Sequence, residues 1–129
     1  MDWKKAIQDF AQNTLGCGCP EEVFRQIEVE SEFPLGGSVR VGRITIGNRL
    51  LIYISEAGDE KTLISLLLFL VKEGKAERDR LRFNRFRLVL ATDKDGIIAQ
   101  KARSLFETIE KDERIHLHTI EKSSIPPLS

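Results

Sequence analysis

Cysteine, histidine and net charge are all scarce in this chain, and each shortage excludes something. Two cysteines in 129 residues cannot build a disulfide scaffold, and two thiols alone do not complete a structural zinc site. Twenty basic and twenty acidic residues cancel, so no overall field draws the chain to nucleic acid or to a membrane surface, and any such binding would need a local patch. The longest apolar run, Leu63 to Val71, is about half of the ~20 residues that span a bilayer. Met1 to Lys5 leads straight into an amphipathic pattern, without the apolar core of a secretory signal. A cytoplasmic location is therefore expected, with no membrane partner, and there neighbouring cysteines would be reduced. Internal repeats, a glycine-rich phosphate loop, a nucleophile elbow and a zinc-protease motif are all missing.

What is present reads as one compact α/β domain over residues 1–122, with a loose tail at 123–129 ending in Ile125-Pro126-Pro127-Leu128-Ser129. The length is ordinary for one domain and sufficient to bury a core without staples. Trp3, Ile7, Phe10, Ala11 and Leu15 recur at helical steps behind a capping Asp2, and Gly16 is placed to end that helix. Pro20, Glu21 and Glu22 open a short second helix, and Phe33-Pro34-Leu35-Gly36-Gly37 breaks the pattern. From Ser38 to Glu56 the period becomes two, with Gly47-Asn48 as a hairpin turn. Val39 and Val41 are out of phase with Ile44 and Ile46, which suggests a bulge near Gly42. Leu50 to Ile54 is apolar on both faces, as an inner strand would be.

A third helix is expected from Asp59 to a closing Gly74. It is so apolar that it must be the central packing helix or a homodimer interface. Arg87 to Thr92 forms another strand apolar on both faces, Asp93 to Lys111 an amphipathic helix, and Arg114 to Ile120 a last strand. The order α-α-β-β-α-β-α-β predicts a four-stranded mixed sheet, a hairpin plus two parallel crossovers, with helices packed on its faces.

Three constellations could carry chemistry. Cys17-Gly18-Cys19-Pro20 sets both thiols at the mouth of a helix, where they can serve as metal ligands, as a redox pair or as small core residues. A disulfide across one glycine would be strained and easily reduced, which suits a switch better than a staple. His116 and His118 point to one face of the last strand and could complete a Cys₂His₂ zinc site with Cys17 and Cys19; a solvated edge-strand face is the plainer reading of the histidines. Glu56, Asp59, Asp93 and Asp95 gather at strand ends, where carboxylates can hold Mg²⁺ for phosphoryl chemistry. In Glu56, Asp93 and Asp95 the chain superficially resembles a topoisomerase–primase domain, but such a domain has a further strand and helix for which Asp59 to Thr92 leaves no room. Capping alone accounts for Asp59 and Asp93.

Arg78, Arg80, Arg82, Arg85 and Arg87, interleaved with Leu81, Phe83 and Phe86, together with Arg40, Arg43 and Arg49, could grip phosphates and stack bases. Glu77, Asp79 and the zero net charge make a solvated face the better reading, so nucleic acid is not an expected partner. The expected function is a small metal- or thiol-dependent accessory protein working through Cys17/Cys19. The alternative is a non-enzymatic interaction module, a homodimer or the subunit of a complex, with Mg²⁺-dependent phosphoryl transfer third.

Overall fold

The computed structural model describes residues 3–92 and 96–128. A five-stranded mixed sheet runs in chain order β1-β2-β3-β4-β5. Its strands are β1 (Ile27–Gly36), β2 (Val39–Ile46), β3 (Leu50–Glu56), β4 (Arg85–Ala91) and β5 (Ile115–Ile120). The β1/β2 and β2/β3 pairs are antiparallel, and β3/β4 and β4/β5 are parallel. The two parallel connections contain α2 (Leu63–Leu81) and α3 (Ile97–Ile109).

One strand more than expected is present. Ile27 and Val29 pack on one side of the sheet and, past a slip in register, Phe33 and Leu35 pack on the other, while Glu28, Glu30, Glu32 and Pro34 alternate with them and stay exposed, the two-residue period of a strand. Pro34 is tolerated because β1 is an edge strand, where a missing N–H costs nothing. The bulge expected near Gly42 lies opposite it, on β1: the register slips between Glu30 and Phe33, whereas β2 pairs with β3 without interruption from Gly42↔Ile54 to Ile46↔Leu50. Val39 and Val41 differ in phase from Ile44 and Ile46 simply because β2 is buried on both sides. Gly47 and Asn48 form the hairpin turn with φ of 58° and 56°, the paired positive values that match strand twist.

Each face of the sheet carries its own core. On the first, Ile44, Ile46, Leu50, Ile52, Ile54 and Val89 meet Ile7, Phe10, Ala11, Leu15, Cys17 and Phe24. These come from α1 (Trp3–Asp9), the wider π turn Phe10–Thr14, the tight 3₁₀ turn Glu21–Arg25 and, for Leu15 and Cys17, the loop between the two turns. That five-residue turn replaces the second α-helix expected after Pro20. On the other face, Val41, Leu51, Tyr53, Phe86, Leu88 and Leu90 pack against Leu63, Leu67, Leu70 and Val71 of α2 and Ala102 of α3.

Two helix boundaries differ from expectation. Asp59 lies in the turn before α2, where its carboxylate accepts from the Thr62 N–H and hydroxyl, both at 2.9 Å. Gly74 does not close α2, which continues to Leu81 and ends on Arg82 in a left-handed conformation with φ 61°. A Cβ at residue 74 would stand 2.0 Å from Cζ of Phe86, so glycine is there to let the ring in. Much of the arginine-rich segment is therefore helix.

The expected capping by Asp2 falls outside the described residues. Residues 122–124 form a short turn, and beyond it Ile125 and Leu128 rest half-buried on the first core. No helix among the described residues is long and apolar enough to cross a membrane.

Candidate functional site

Cys17 and Cys19 are joined as a disulfide across Gly18, with Cα atoms 5.3 Å apart; the expected reduced pair is not what the fold presents. Gly16, at φ 72°, reverses the chain after α1 so that the Cys17 N–H returns to the Ala11 carbonyl at 2.8 Å. Cys17 is thereby buried, while Cys19 is half-exposed. The Cys19 N–H donates to Cys17 Sγ at 3.2 Å. A Cβ on Gly18 would meet nothing within 4 Å, so the bridge opens onto free space.

That space is a cavity of about 420 Å³ between Gly16–Cys19 and the N-terminal ends of β3 and β4, lined there by Arg49, Leu50, Asn84, Arg85, Arg87 and His116. The Arg49 carbonyl holds the opposite rim together by accepting from Asn84 N–H at 2.8 Å and Arg85 N–H at 3.0 Å. No acidic residue is among the lining residues.

Arg87 is the unusual member. It projects from an inner strand into the first core, is only 8% exposed, and donates from Nη1 to the Leu15 carbonyl at 2.8 Å. Its Nε is buried with no hydrogen-bond partner. Burial, then the neighbouring charge of Arg85, pulls its pKa below the usual arginine value. A buried guanidinium normally has a carboxylate beside it; among the described residues, none pairs with Arg87, Arg85 or Arg49.

The two histidines interlock with these arginines. In the parallel register Arg87 lies beside His116 and Val89 beside His118, so Arg85, Arg87, His116 and His118 share one face. Arg85 Nη1 is 3.1 Å from His116 Nε2, and Arg87 Nη1 is 3.0 Å from His118 Nε2. Arginine can only donate, so each Nε2 accepts and each imidazole is neutral with its proton on Nδ1. Burial, followed by the charge of Arg87, pushes His118 down to about 4 and moves His116 in the same direction.

Of the four residues expected at a zinc site, the fold brings Cys17, Cys19 and His116 to one cavity and leaves His118 deeper, tied to Arg87. For both imidazoles to clasp a cation, two guanidinium groups would have to leave. Among the described residues, no group of three or more His, Cys, Asp and Glu is placed to hold a metal ion. The carboxylates fare similarly. Glu56 accepts from Lys122 at 2.6 Å, which holds its pKa below the usual range, Asp59 caps its own turn, and Asp93 and Asp95 lie outside the described residues.

The expected solvated arginine face is present in part: Arg40, Arg49, Arg80, Arg82 and Arg85 are exposed, but three others are not. Arg43 and Arg78 are buried alongside Arg87. Arg78 Nη2 bonds both Asp79 and Asp112 at 2.9 Å. Arg43 Nε donates to Glu77 Oε1 at 2.8 Å, and the Tyr53 hydroxyl donates to the same oxygen at 2.9 Å. Sequence reasoning missed Asn84, and it named Arg49 and Arg87 only within an arginine face, not beside the cysteines. One signal was available: a charge on the inward face of an otherwise apolar inner strand.

No family model matches the chain, and no curated protein or solved structure resembles it closely enough to count as a match.

Proposed function

We propose that this is a thiol–disulfide protein whose Cys17/Cys19 pair cycles between disulfide and dithiol within a basic cavity. One observation carries the reading: the bridge opens on a cavity whose charged residues are arginines without carboxylate partners among the described residues. Positive surroundings favour thiolates, the reactive form in exchange.

Burial and hydrogen bonding assign different roles to the two sulfurs. An incoming thiolate attacks the half-exposed Cys19 Sγ, forming a mixed disulfide there. The Cys17–Cys19 bond breaks, and its electron pair leaves on Cys17 Sγ, where the Cys19 N–H and the nearby guanidinium charge stabilise it. A second substrate thiolate attacks the substrate sulfur of the mixed disulfide and releases Cys19. The protein thiolates take up the two protons lost by the substrate thiols, so two thiols become one disulfide and the protein disulfide becomes a dithiol.

The test is equilibration in glutathione buffers of graded ratio, acid quenching and alkylation under denaturing conditions. Cys17 and Cys19 should gain label together in one two-electron transition, and Cys17→Ser should trap a mixed disulfide at Cys19. A pair labelled completely in every buffer, or in none, overturns the reading.

A second reading, the non-enzymatic interaction module, is favoured by Ile64 and Leu68. They stand 45% and 47% exposed on one side of α2, where a partner or second copy could cover them; sedimentation of the wild type against Ile64→Ser/Leu68→Ser tests it.

A further inference from the structure

We infer that the arginine end of this cavity recognises an anionic group on the thiol substrate, so that the protein exchanges disulfides with small thiols bearing a carboxylate and discriminates against neutral and cationic ones. The inference rests on the redox reading for its reaction, but its charge argument is separate. Three guanidinium-bearing residues, Arg49, Arg85 and Arg87, line one cavity with the disulfide, and no described carboxylate pairs with any of them. The contrast lies within the same molecule, where buried Arg43 and Arg78 each have acidic partners.

Arg87 makes the case specific. Its charge is held in the core by a backbone carbonyl and a neutral imidazole, neither of which cancels it, and its Nε has no hydrogen-bond partner. A permanently charged group buried in this way is destabilising unless an anion offsets it. The cavity side is where an anion can come from, since Leu15 and His118 occupy the other approaches used by Nη1. Exposed Arg85 and Arg49 then meet the incoming charge at the rim, and planar guanidinium donors suit carboxylate oxygens. In a cavity of about 420 Å³, a small thiol can place its sulfur toward Cys19 and its carboxylate toward the arginines.

Two measurements separate this from the redox reading. In the first, reduction of the wild-type disulfide is followed with 3-mercaptopropionate, 2-mercaptoethanol and cysteamine. Rates are expressed per thiolate and divided by those toward the neutral hydroxyethyl disulfide. The anionic thiol should be favoured over the neutral one by about tenfold or more, as fields of this kind raise encounter rates, and the cationic thiol should be slowest. Added salt and Arg85→Ala/Arg49→Ala should flatten the order. An order in the wild type equal to that of the free disulfide overturns the proposal.

In the second, succinate is titrated into Cys17→Ser/Cys19→Ser, which cannot exchange, and the His116 ring resonances are followed. Saturable shifts, lost in Arg85→Ala/Arg49→Ala, are expected; shifts that do not saturate count against the anion site. Reduction by all three thiols without charge preference and without succinate binding defeats the anion inference while the redox reading stands. Saturable succinate binding with a disulfide that no thiol reduces has the opposite meaning.

Discussion

Replacing Gly74 by alanine inverts the usual expectation for a helix. In an exposed helix interior the change would stabilise by about 1 kcal/mol, because glycine is the poorer helix former. Here the new methyl would meet Cζ, Cε2 and Cε1 of Phe86 at 2.0, 2.2 and 2.6 Å, against the roughly 3.5–4.0 Å of a comfortable carbon contact. The ring has little room to yield. Phe86 is fully buried and set edge-on against Tyr53, with centroids 5.1 Å apart and planes at 76°, and Tyr53 is itself held by Glu77. Overpacking a core in this way costs ~1–3 kcal/mol, and a contact this short belongs at the upper end. The expected net effect is a loss of about 2 kcal/mol. Urea unfolding followed by far-ultraviolet circular dichroism reads it directly, and the same substitution in a Phe86→Leu background should cost at least about 1 kcal/mol less, since neighbours that share a contact are not additive. A Gly74→Ala protein as stable as the parent, or more stable, would refute the close approach of α2 to β4.

Glu77→Ala should destabilise by about 3 kcal/mol, because buried Arg43 loses its close carboxylate and keeps only half-exposed Glu30 at 3.7 Å; urea unfolding measures it. Burial acts to raise the Glu77 pKa, but hydrogen bonds from Arg43, Tyr53 and Arg80 outweigh it and hold the carboxyl below its ordinary value. Its stabilising share is therefore present above the unfolded pKa and lost as pH falls through the lower folded one, and Glu77→Gln should lack that acid-dependent component. His118 gives a second pH window with the same sense: it titrates near 4 in the fold and near ~6.5 when unfolded. Stability should be full above pH ~6.5 and decline by roughly 2–3 kcal/mol on the way to pH ~4, a slope that His118→Gln should flatten in unfolding curves across that range. Ile52→Asp places a charge in a fully buried strand at a cost of several kcal/mol, and a cooperative thermal transition near the parent's would contradict the sheet order.

The parts of the fold legible in the sequence are those where local pattern and tertiary role agree. Leu50 to Ile54 and Leu88 to Ala91 are apolar without alternation, and both runs lie inside the sheet. The hairpin at Gly47-Asn48 carries its own turn chemistry. The strand Ile27–Gly36 was hidden because Pro34 and Gly36-Gly37 resemble a break, and only its edge position makes them harmless. Gly74 misled for a related reason: helix-ending glycine and ring-admitting glycine look alike until Phe86 is known to cross there. At the site, the cysteine motif was legible, but its proximity to His116 was not, because nothing local in the sequence brings the last strand to that loop. Nor was the burial of Arg87, since it depends on the chain around Leu15 folding across a strand seventy-two residues away.

The bridge spans a single residue, and closing so short a loop removes little freedom from an unfolded chain. Its opening and closing are thus nearly independent of whether the domain holds together: oxidised and reduced forms should melt at similar temperatures. The arginines are arranged the other way, drawn from the hairpin turn and from a strand that must first be assembled. An unfolded chain can therefore still form the bridge but cannot read the charge of what attacks it, which makes selectivity, rather than the bond, the mark of a completed fold.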